Sequence, residues 1–264
     1  MTAYEKLKTA RRSDRPTGKS YIDEMFENKV FLCGDRRFGE DAAIVGGIGY
    51  LGKQPVTFIA IDKGQTTEER VKKNFGCPKP EGYRKALRLM KQAEKFSRPV
   101  VCFVDTLGAY PGAEGEERGQ GEAIAENLME MMGLKTPVIS IVIGEGGSGG
   151  ALGLAVSDRV YMLENAVYSV ITPEGCASIL WKDAARAPDA AECLHITAED
   201  MVKFGVAERI IPEDFGDFPK MCNSLKEQLL SDFKEIKSLS KRKMLDARYT
   251  RFRKIGVYEE ANEN

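Results

Sequence analysis

The residues best placed to do chemistry in this chain are glycines. Between Ile141 and Asp158 it reads IVIGEGGSGGALGLAVSD, with five glycines in seven residues: Gly144, Gly146, Gly147, Gly149 and Gly150. A β-branched run enters the segment and a small-residue helix leaves it. Glycine has no Cβ, so backbone N–H groups there can approach a ligand closely. The first N–H groups of a helix have no partner inside it and lie at the positive end of its dipole. Together these make a cradle for an anion, or for an oxygen that gains charge during a reaction. The alternative is a tight strand-to-helix turn with no chemistry.

A second glycine turn runs from Asp105 to Gly112 (DTLGAYPG). Both turns leave the carboxyl ends of apolar runs that read as buried strands, PVVCFVD and PVISIVIG. In parallel α/β sheets, ligands gather outside those ends. If the two strands are neighbours, each turn can offer a backbone N–H to one oxygen, which is the geometry of an oxyanion hole. Other glycine-loop readings fit less well. Neither turn matches GxxxxGK[ST]. A loose GxGxxG on Gly144, Gly146 and Gly149 would use Glu164 as its acidic residue, and it does not open a first βα unit. Ser148 lies among these glycines, but as a nucleophile it lacks a visible base.

A hydratase or isomerase of this shape needs carboxylates at the pocket mouth. Glu145 and Glu174 are the candidates, although Glu174 is equally explained as a helix-start residue. His195 is the single histidine, so a nucleophilic triad has one possible base. Its position in AAECLHITAED, before a predicted helix, favours a structural role. The six cysteines (Cys33, Cys77, Cys102, Cys176, Cys193, Cys222) are far apart, with no CxxC. No zinc site from this chain alone and no disulfide framework is expected. Cys102 and Cys176 read as core residues.

The elements that must position these residues are legible in the apolar pattern. AIVGGIGYL and PVTFIAID read as strands joined by a turn at Gly52–Lys53. KGQTTEERVKKNFGCPKPEG reads as a polar loop. EGYRKALRLMKQAEKF reads as a helix with Leu87 and Met90 on one face and Arg84, Arg88, Lys91 and Lys95 on the other. A further helix is expected from about Glu116, with Ile124, Leu128 and Met131 as its apolar stripe. ALGLAV is a short helix; RVYMLE and VYSVI are strands. Thr172 caps a helix that has Pro173 at its first position. Thr197 caps another that ends at Gly205. VAERIIPE is extended, and amphipathic helices follow from about Phe218. Strand–turn–helix repeats of this kind indicate an α/β class with parallel strands.

Three segments are expected: a basic arm at 1–30 (Lys6, Lys8, Arg11, Arg12, Arg15, Lys19), a core at 31–215 and a helical segment at 216–264. The arm reads either as a solvated face or as a docking surface for another chain. With 264 residues, net charge −1 and 42% hydrophobic residues, the chain suits a soluble globular protein with no overall field for nucleic acid or membrane. No apolar run approaches a membrane span, and the polar first twenty residues lack a secretory signal. A cytoplasmic location is therefore expected.

Three long stretches carry a resemblance: DTLGAYPGAEGEERGQGEAIAENL, VIGEGGSGGALGLAVSDRVYMLENAVYSVITPEGCASILWKDA and NFGCPKPEGYRKALRLMKQAEKF. They strongly resemble the α subunit of bacterial acetyl-CoA carboxylase carboxyltransferase, as does RPTGKSYIDEMFENKVFLCGDRRFGEDAAIVGGIGYL. The resemblance covers roughly residues 11–255. It implies a crotonase-like (ClpP/crotonase) spiral of ββα units with outer helices. It implies transfer of a carboxyl group from carboxybiotin, on a biotin carboxyl carrier protein, to acetyl-CoA. The product is malonyl-CoA, the first committed step of fatty acid synthesis. It also implies a zinc-ribbon β subunit that mainly holds acetyl-CoA, an α2β2 assembly, and biotin carboxylase in the larger complex.

Residue by residue, the resemblance implies oxyanion donors among Gly146, Gly147, Gly149 and Gly150. Gly149 and Gly150 come first, with Ala109 on the facing turn. Their oxygen would be the biotin ureido carbonyl, and the biotin nitrogen would take the acetyl proton itself. The implied substrate-binding set is Gly108, Tyr110, Pro111, Gly112, Glu145, Ser148, Pro173, Glu174 and Gly175, with no metal in this chain. Two departures stand out. Many relatives read DTPGAYPG, whereas Leu107 stands here, which is expected to loosen the turn. Many also carry a longer helical stretch before RPTGKSYID, which bears on the extent of the α–β contact. The competing readings are a stand-alone crotonase-type hydratase or decarboxylase using Glu145 or Glu174, and a non-catalytic scaffold using its basic surfaces.

Overall fold

The structure, a computed structural model, describes residues 1–256. Among them, β-branched and aromatic runs form eight strands. These are β1 (Glu27–Phe31), β2 (Ile44–Leu51), β3 (Gln54–Ile61), β4 (Val100–Thr106), β5 (Val138–Gly147), β6 (Arg159–Leu163), β7 (Val167–Ser169) and β8 (Arg209–Ile211). They make one sheet in the order β1-β2-β3-β4-β5-β6-β8, with β7 paired to β5. The first two pairings are antiparallel. The pairings β3–β4, β4–β5, β5–β6, β5–β7 and β6–β8 are parallel. The β2–β3 turn falls at Gly52–Lys53 as predicted, since Leu51 pairs with Gln54.

Helices cover both faces of the sheet. Gly46 lies against Leu89 of helix Pro80–Lys95, and Gly46 is the register partner of Ile59. Ala60 lies against Gly18 of helix Gly18–Met25. Successive strand residues point to opposite faces, so these two helices sandwich β2 and β3. Every residue of β4 is buried, which fits a central parallel strand covered on both sides. Cys102 and Cys176 are buried, as expected. Thr172 and Pro173 start helix Pro173–Trp181, and Thr197 caps helix Ala198–Lys203, which ends at Gly205 with φ +70°. Helices Phe218–Ser238 and Lys241–Arg253 complete the C-terminal part. The end of the expected 216–264 segment, 257–264, lies outside the described residues.

Four local expectations need correction. The first thirty residues, expected as a basic arm, are helical and packed against the rest of the chain. They contain helices Ala3–Ala10 and Gly18–Met25, which bury Leu7, Tyr21 and Ile22 against the rest of the chain. Apolar residues hidden among the basic ones drive this packing. The polar loop after β3 contains helix Thr67–Lys72, closed by a Thr66–Glu69 capping box. The helix expected from Glu116 is two helices, Ala113–Glu117 and Gln120–Gly133, broken where Gly119 takes φ +82°. Its inward face is Ala123, Asn127 and Met131, not Ile124. Finally, β5 continues through Gly146 and Gly147, because β7 pairs with them. The helix that follows is Ser148–Leu152, earlier than ALGLAV suggested.

Candidate functional site

Strands β4 and β5 are parallel neighbours, so their two glycine turns leave the sheet side by side. The turns touch backbone to backbone. A Cβ on Gly150 would lie 2.5 Å from the amide nitrogen of Ala109. A Cβ on Gly147 would overlap the carbonyl of Leu107. Side chains at either position would force the turns apart. Gly149 differs: its nearest neighbour would be Ile124 at 3.8 Å, an ordinary contact.

Several amides beside this contact have no partner within their own helix or turn. Ser148, Gly149 and Gly150 are the first three residues of their helix and have no acceptor within it. The Ala109 N–H has no backbone acceptor among the described residues. Thr106 braces that turn, its hydroxyl accepting the Gly108 N–H at 3.0 Å and donating to the Gly108 carbonyl at 2.7 Å. The Tyr110 N–H is used differently, donating to the Pro78 carbonyl at 3.0 Å. Pro111 follows, and Gly112 begins helix Ala113–Glu117 with the Tyr110 ring folded over it. Ser148 is exposed and holds φ +51°, an uncommon conformation for a side-chain-bearing residue. Gly146 lies within β5 against the Tyr168 ring. Pro173 and Gly175 sit in the first turn of their helix, where the Gly175 N–H donates to Thr172 Oγ1 at 3.1 Å.

Beside the turns is a cavity of about 420 Å³, walled by Arg11, Arg15, Lys63, Asp105, Leu107 and Glu145 among others. Alternating charges run along its floor. Lys63 Nζ lies 2.7 Å from Asp105 and 3.4 Å from Glu145. Arg11 reaches Glu145 at 3.0 Å and Glu174 at 2.6 Å. Burial would lower the Lys63 ammonium, but Asp105 and Glu145 raise it above its ordinary value. Burial would raise the Glu174 carboxyl, yet the Arg11 hydrogen bond and charge hold it below its ordinary range. On the other side of Gly149 is an apolar groove of about 340 Å³, lined by Leu152, Tyr168, Val170 and Met201.

The structure thus brings Glu145 and Glu174 to one guanidinium, as partners of a cation rather than free bases. His195 is apart from them: it is exposed, at φ +50°, with Nδ1 3.6 Å from Asp200. Among the described residues, no group of three or more His, Cys, Asp or Glu is arranged to hold a metal. Sequence reasoning missed Arg11, Lys63 and Asp105 as site residues. Their signal was position: Lys63, Asp105 and Glu145 lie at or just beyond the carboxyl ends of three consecutive parallel strands.

These features define a crotonase-like α/β fold, and solved structures agree with it. A transcarboxylase 12S structure with methylmalonyl-coenzyme A bound superposes at TM-score 0.65 and 17% identity, over 97% of this chain and 46% of that one. The β subunit of Pseudomonas aeruginosa geranyl-CoA carboxylase gives 0.63 at 16% identity, over 86% of this chain and 44% of that one. The chain therefore spans about half the length of these two neighbours.

The chain belongs to the acetyl co-enzyme A carboxylase carboxyltransferase-like family, whose model matches residues 1–256. The acetyl-coenzyme A carboxylase carboxyl transferase subunit alpha of Ruminiclostridium cellulolyticum is 57% identical over 257 residues, covering 97% of this chain and 99% of that one. Its namesake in Clostridium acetobutylicum is 54% identical over 268 residues, covering 100% and 98%. A Clostridium tetani relative is named as joined beta/alpha subunits. It is 54% identical over 98% of this chain and 46% of its own length. No helix among the described residues is long and apolar enough to cross a membrane.

Proposed function

We propose that this chain is the α component of an acetyl-CoA carboxyltransferase. It takes the carboxyl group of carboxybiotin, carried on a biotin carboxyl carrier protein, and passes it to acetyl-CoA to give malonyl-CoA. It works with a zinc-ribbon β chain in an α2β2 assembly, alongside biotin carboxylase, in the cytoplasm. Family membership supports the reaction class, and the names of its relatives support the division into α and β chains.

The observation that carries the reading is the contact between Gly150 and Ala109. It brings the backbones of the two turns together. In this reading the N–H groups of Ala109, Gly149 and Gly150 face the ureido oxygen of the donor. Charge grows on that oxygen as the carboxyl group departs, and fixed dipoles stabilise it without reorganising. Each such donor is worth roughly 3–4 kcal/mol in the transition state. Gly146 and Gly147 support the donors from within β5. Gly108, Tyr110, Pro111, Gly112, Ser148, Pro173 and Gly175 shape the surrounding contacts.

The hydratase or decarboxylase alternative requires Glu145 or Glu174 to move protons. Both carboxylates are held by Arg11, and Glu145 also by Lys63, which disfavours that role. The test is a carboxyl-transfer assay with free biotin as the biotin-side substrate, run with and without a co-expressed β chain. Malonyl-CoA turnover only in the paired preparation is expected. Failure of a well-folded pair to transfer carboxyl groups, or hydration by the lone chain, would overturn the reading.

A further inference from the structure

The β4–β5 ladder slips beside the site. Val104 pairs with Val142, but Thr106 already pairs with Gly146, so three residues of β5 stand opposite one of β4. Such an irregularity interrupts the regular exchange of backbone hydrogen bonds. It falls just before both glycine turns.

A side chain fills the interruption. Asp105 Oδ1 accepts the Glu145 N–H at 2.8 Å, tying the two strands where the ladder fails. The same oxygen lies 2.7 Å from Lys63 Nζ. The carboxylate fits because residue 144 is glycine; any Cβ there would overlap it. Lys63 stands two residues beyond the end of β3, so three strand ends converge on one carboxylate.

We propose that Lys63 is a positioning residue, which sets the spacing between the Ala109 and Gly150 turns by neutralising Asp105 and Glu145 together. Without its charge, two carboxylates face one another at close range in a site where Asp105 is 9% and Glu145 5% exposed. Like charges held that close repel strongly in a low-dielectric surrounding. Arg11 neutralises Glu145 but, among the described residues, makes no ion pair with Asp105. Asp105 therefore swings away, the Glu145 N–H loses its acceptor, and the turns separate. Lys63 reaches the reaction only through that spacing. The catalytic consequence rests on the oxyanion reading proposed above; the structural consequence does not.

The test uses Lys63→Met and Lys63→Arg in the α chain paired with its β chain, with two readouts. The first is a crystal structure of each variant, giving the Ala109–Gly150 separation. The second is steady-state carboxyl transfer. For Lys63→Met the turns move apart, kcat falls by about a hundredfold, and KM for acetyl-CoA stays within about twofold. Lys63→Arg keeps the charge and restores kcat to within about tenfold of the wild type. Lys63→Gln, judged by the same readouts, replaces Lys63→Met if the latter does not fold. Turns that stay in place in the neutral variant overturn the proposal, whatever the activity. Turns that separate while kcat is kept support the positioning role and count instead against the oxyanion reading.

Discussion

The amide nitrogen of Ala109 and the α-carbon of Gly150 approach so closely that one added methyl group would stand 2.5 Å from that nitrogen. Ala109 follows β4 and Gly150 follows β5. Their contact joins the two turns at the start of helix Ser148–Leu152. The neighbouring Gly149 has room to spare.

That contrast separates two substitutions of equal chemistry. Gly150→Ala pushes the turns apart and is expected to lower kcat for carboxyl transfer by at least about a hundredfold, the scale of losing one oxyanion donor. Gly149→Ala meets only Ile124, at 3.8 Å, and should keep kcat within about tenfold. Assays of both variants in complex with the β chain, with folding checked by circular dichroism, decide the matter. Equal losses would show that the turn contact is not what matters.

Arg11 sits between Glu145 and Glu174. The Glu174 carboxyl is held below its ordinary value, so its folded-state value lies under the unfolded one. Stability from the pair is therefore complete above the ordinary carboxylate range and is lost as pH falls through the depressed value. Arg11→Met should lower the urea midpoint at pH 7, and this difference should shrink steadily below about pH 4.5. A difference that persists unchanged at pH 3 would mean that Arg11 acts through packing alone.

Asp35 offers a larger pH effect. Its Oδ1 accepts N–H bonds from Arg37, Phe38 and Gly39 at 2.8–2.9 Å, and Arg84 donates to Oδ2 at 2.8 Å. Burial opposes ionisation, but these bonds outweigh it and the carboxyl is pulled down to about 2. The value lies below the unfolded one, so the stabilisation is present above about pH 4 and disappears as pH falls toward 2. Asp35→Asn should cost about 2 kcal/mol at neutral pH and almost nothing near pH 2, read by denaturant melts at each pH.

Arg248 ties helix Lys241–Arg253 to the end of helix Gln120–Gly133 and to the loops that lead into β5 and β6. Its buried guanidinium donates to the carbonyls of Met131 at 2.6 Å, Leu134 at 2.9 Å and Thr136 at 3.2 Å, and pairs with Asp158 at 2.8 Å. Removing it strands a buried carboxylate and leaves those carbonyls with fewer donors. Arg248→Met is expected to destabilise the chain by about 3–5 kcal/mol in guanidinium melts, as broken buried pairs do. A loss under about 1 kcal/mol would mean that water replaces the guanidinium at little cost.

Much of this architecture was legible in the chain. The β2–β3 hairpin, the buried strands β4 and β5, and the caps at Thr172 and Thr197 each follow from local pattern. So does the crowding of glycine after two strands, since a glycine run has few other uses. Local signals were also overlooked: Thr66 and Glu69 spell a capping box, and the apolar residues of the first thirty mark two helices rather than an arm.

The sequence alone determined most of the elements, the two glycine turns and the family to which they belong. These depend on neighbours along the chain and on long shared motifs. Only the tertiary structure decided which charges meet. Arg11 finds Glu145 across 134 positions, and Lys63 finds it across 82. Ion pairing has no periodicity along the chain, because charge attracts through space and the sheet order sets the distances. The extension of β5 through Gly147 was decided in the same way: two glycines that read as a turn, Gly146 and Gly147, became strand because β7 arrived to pair with them.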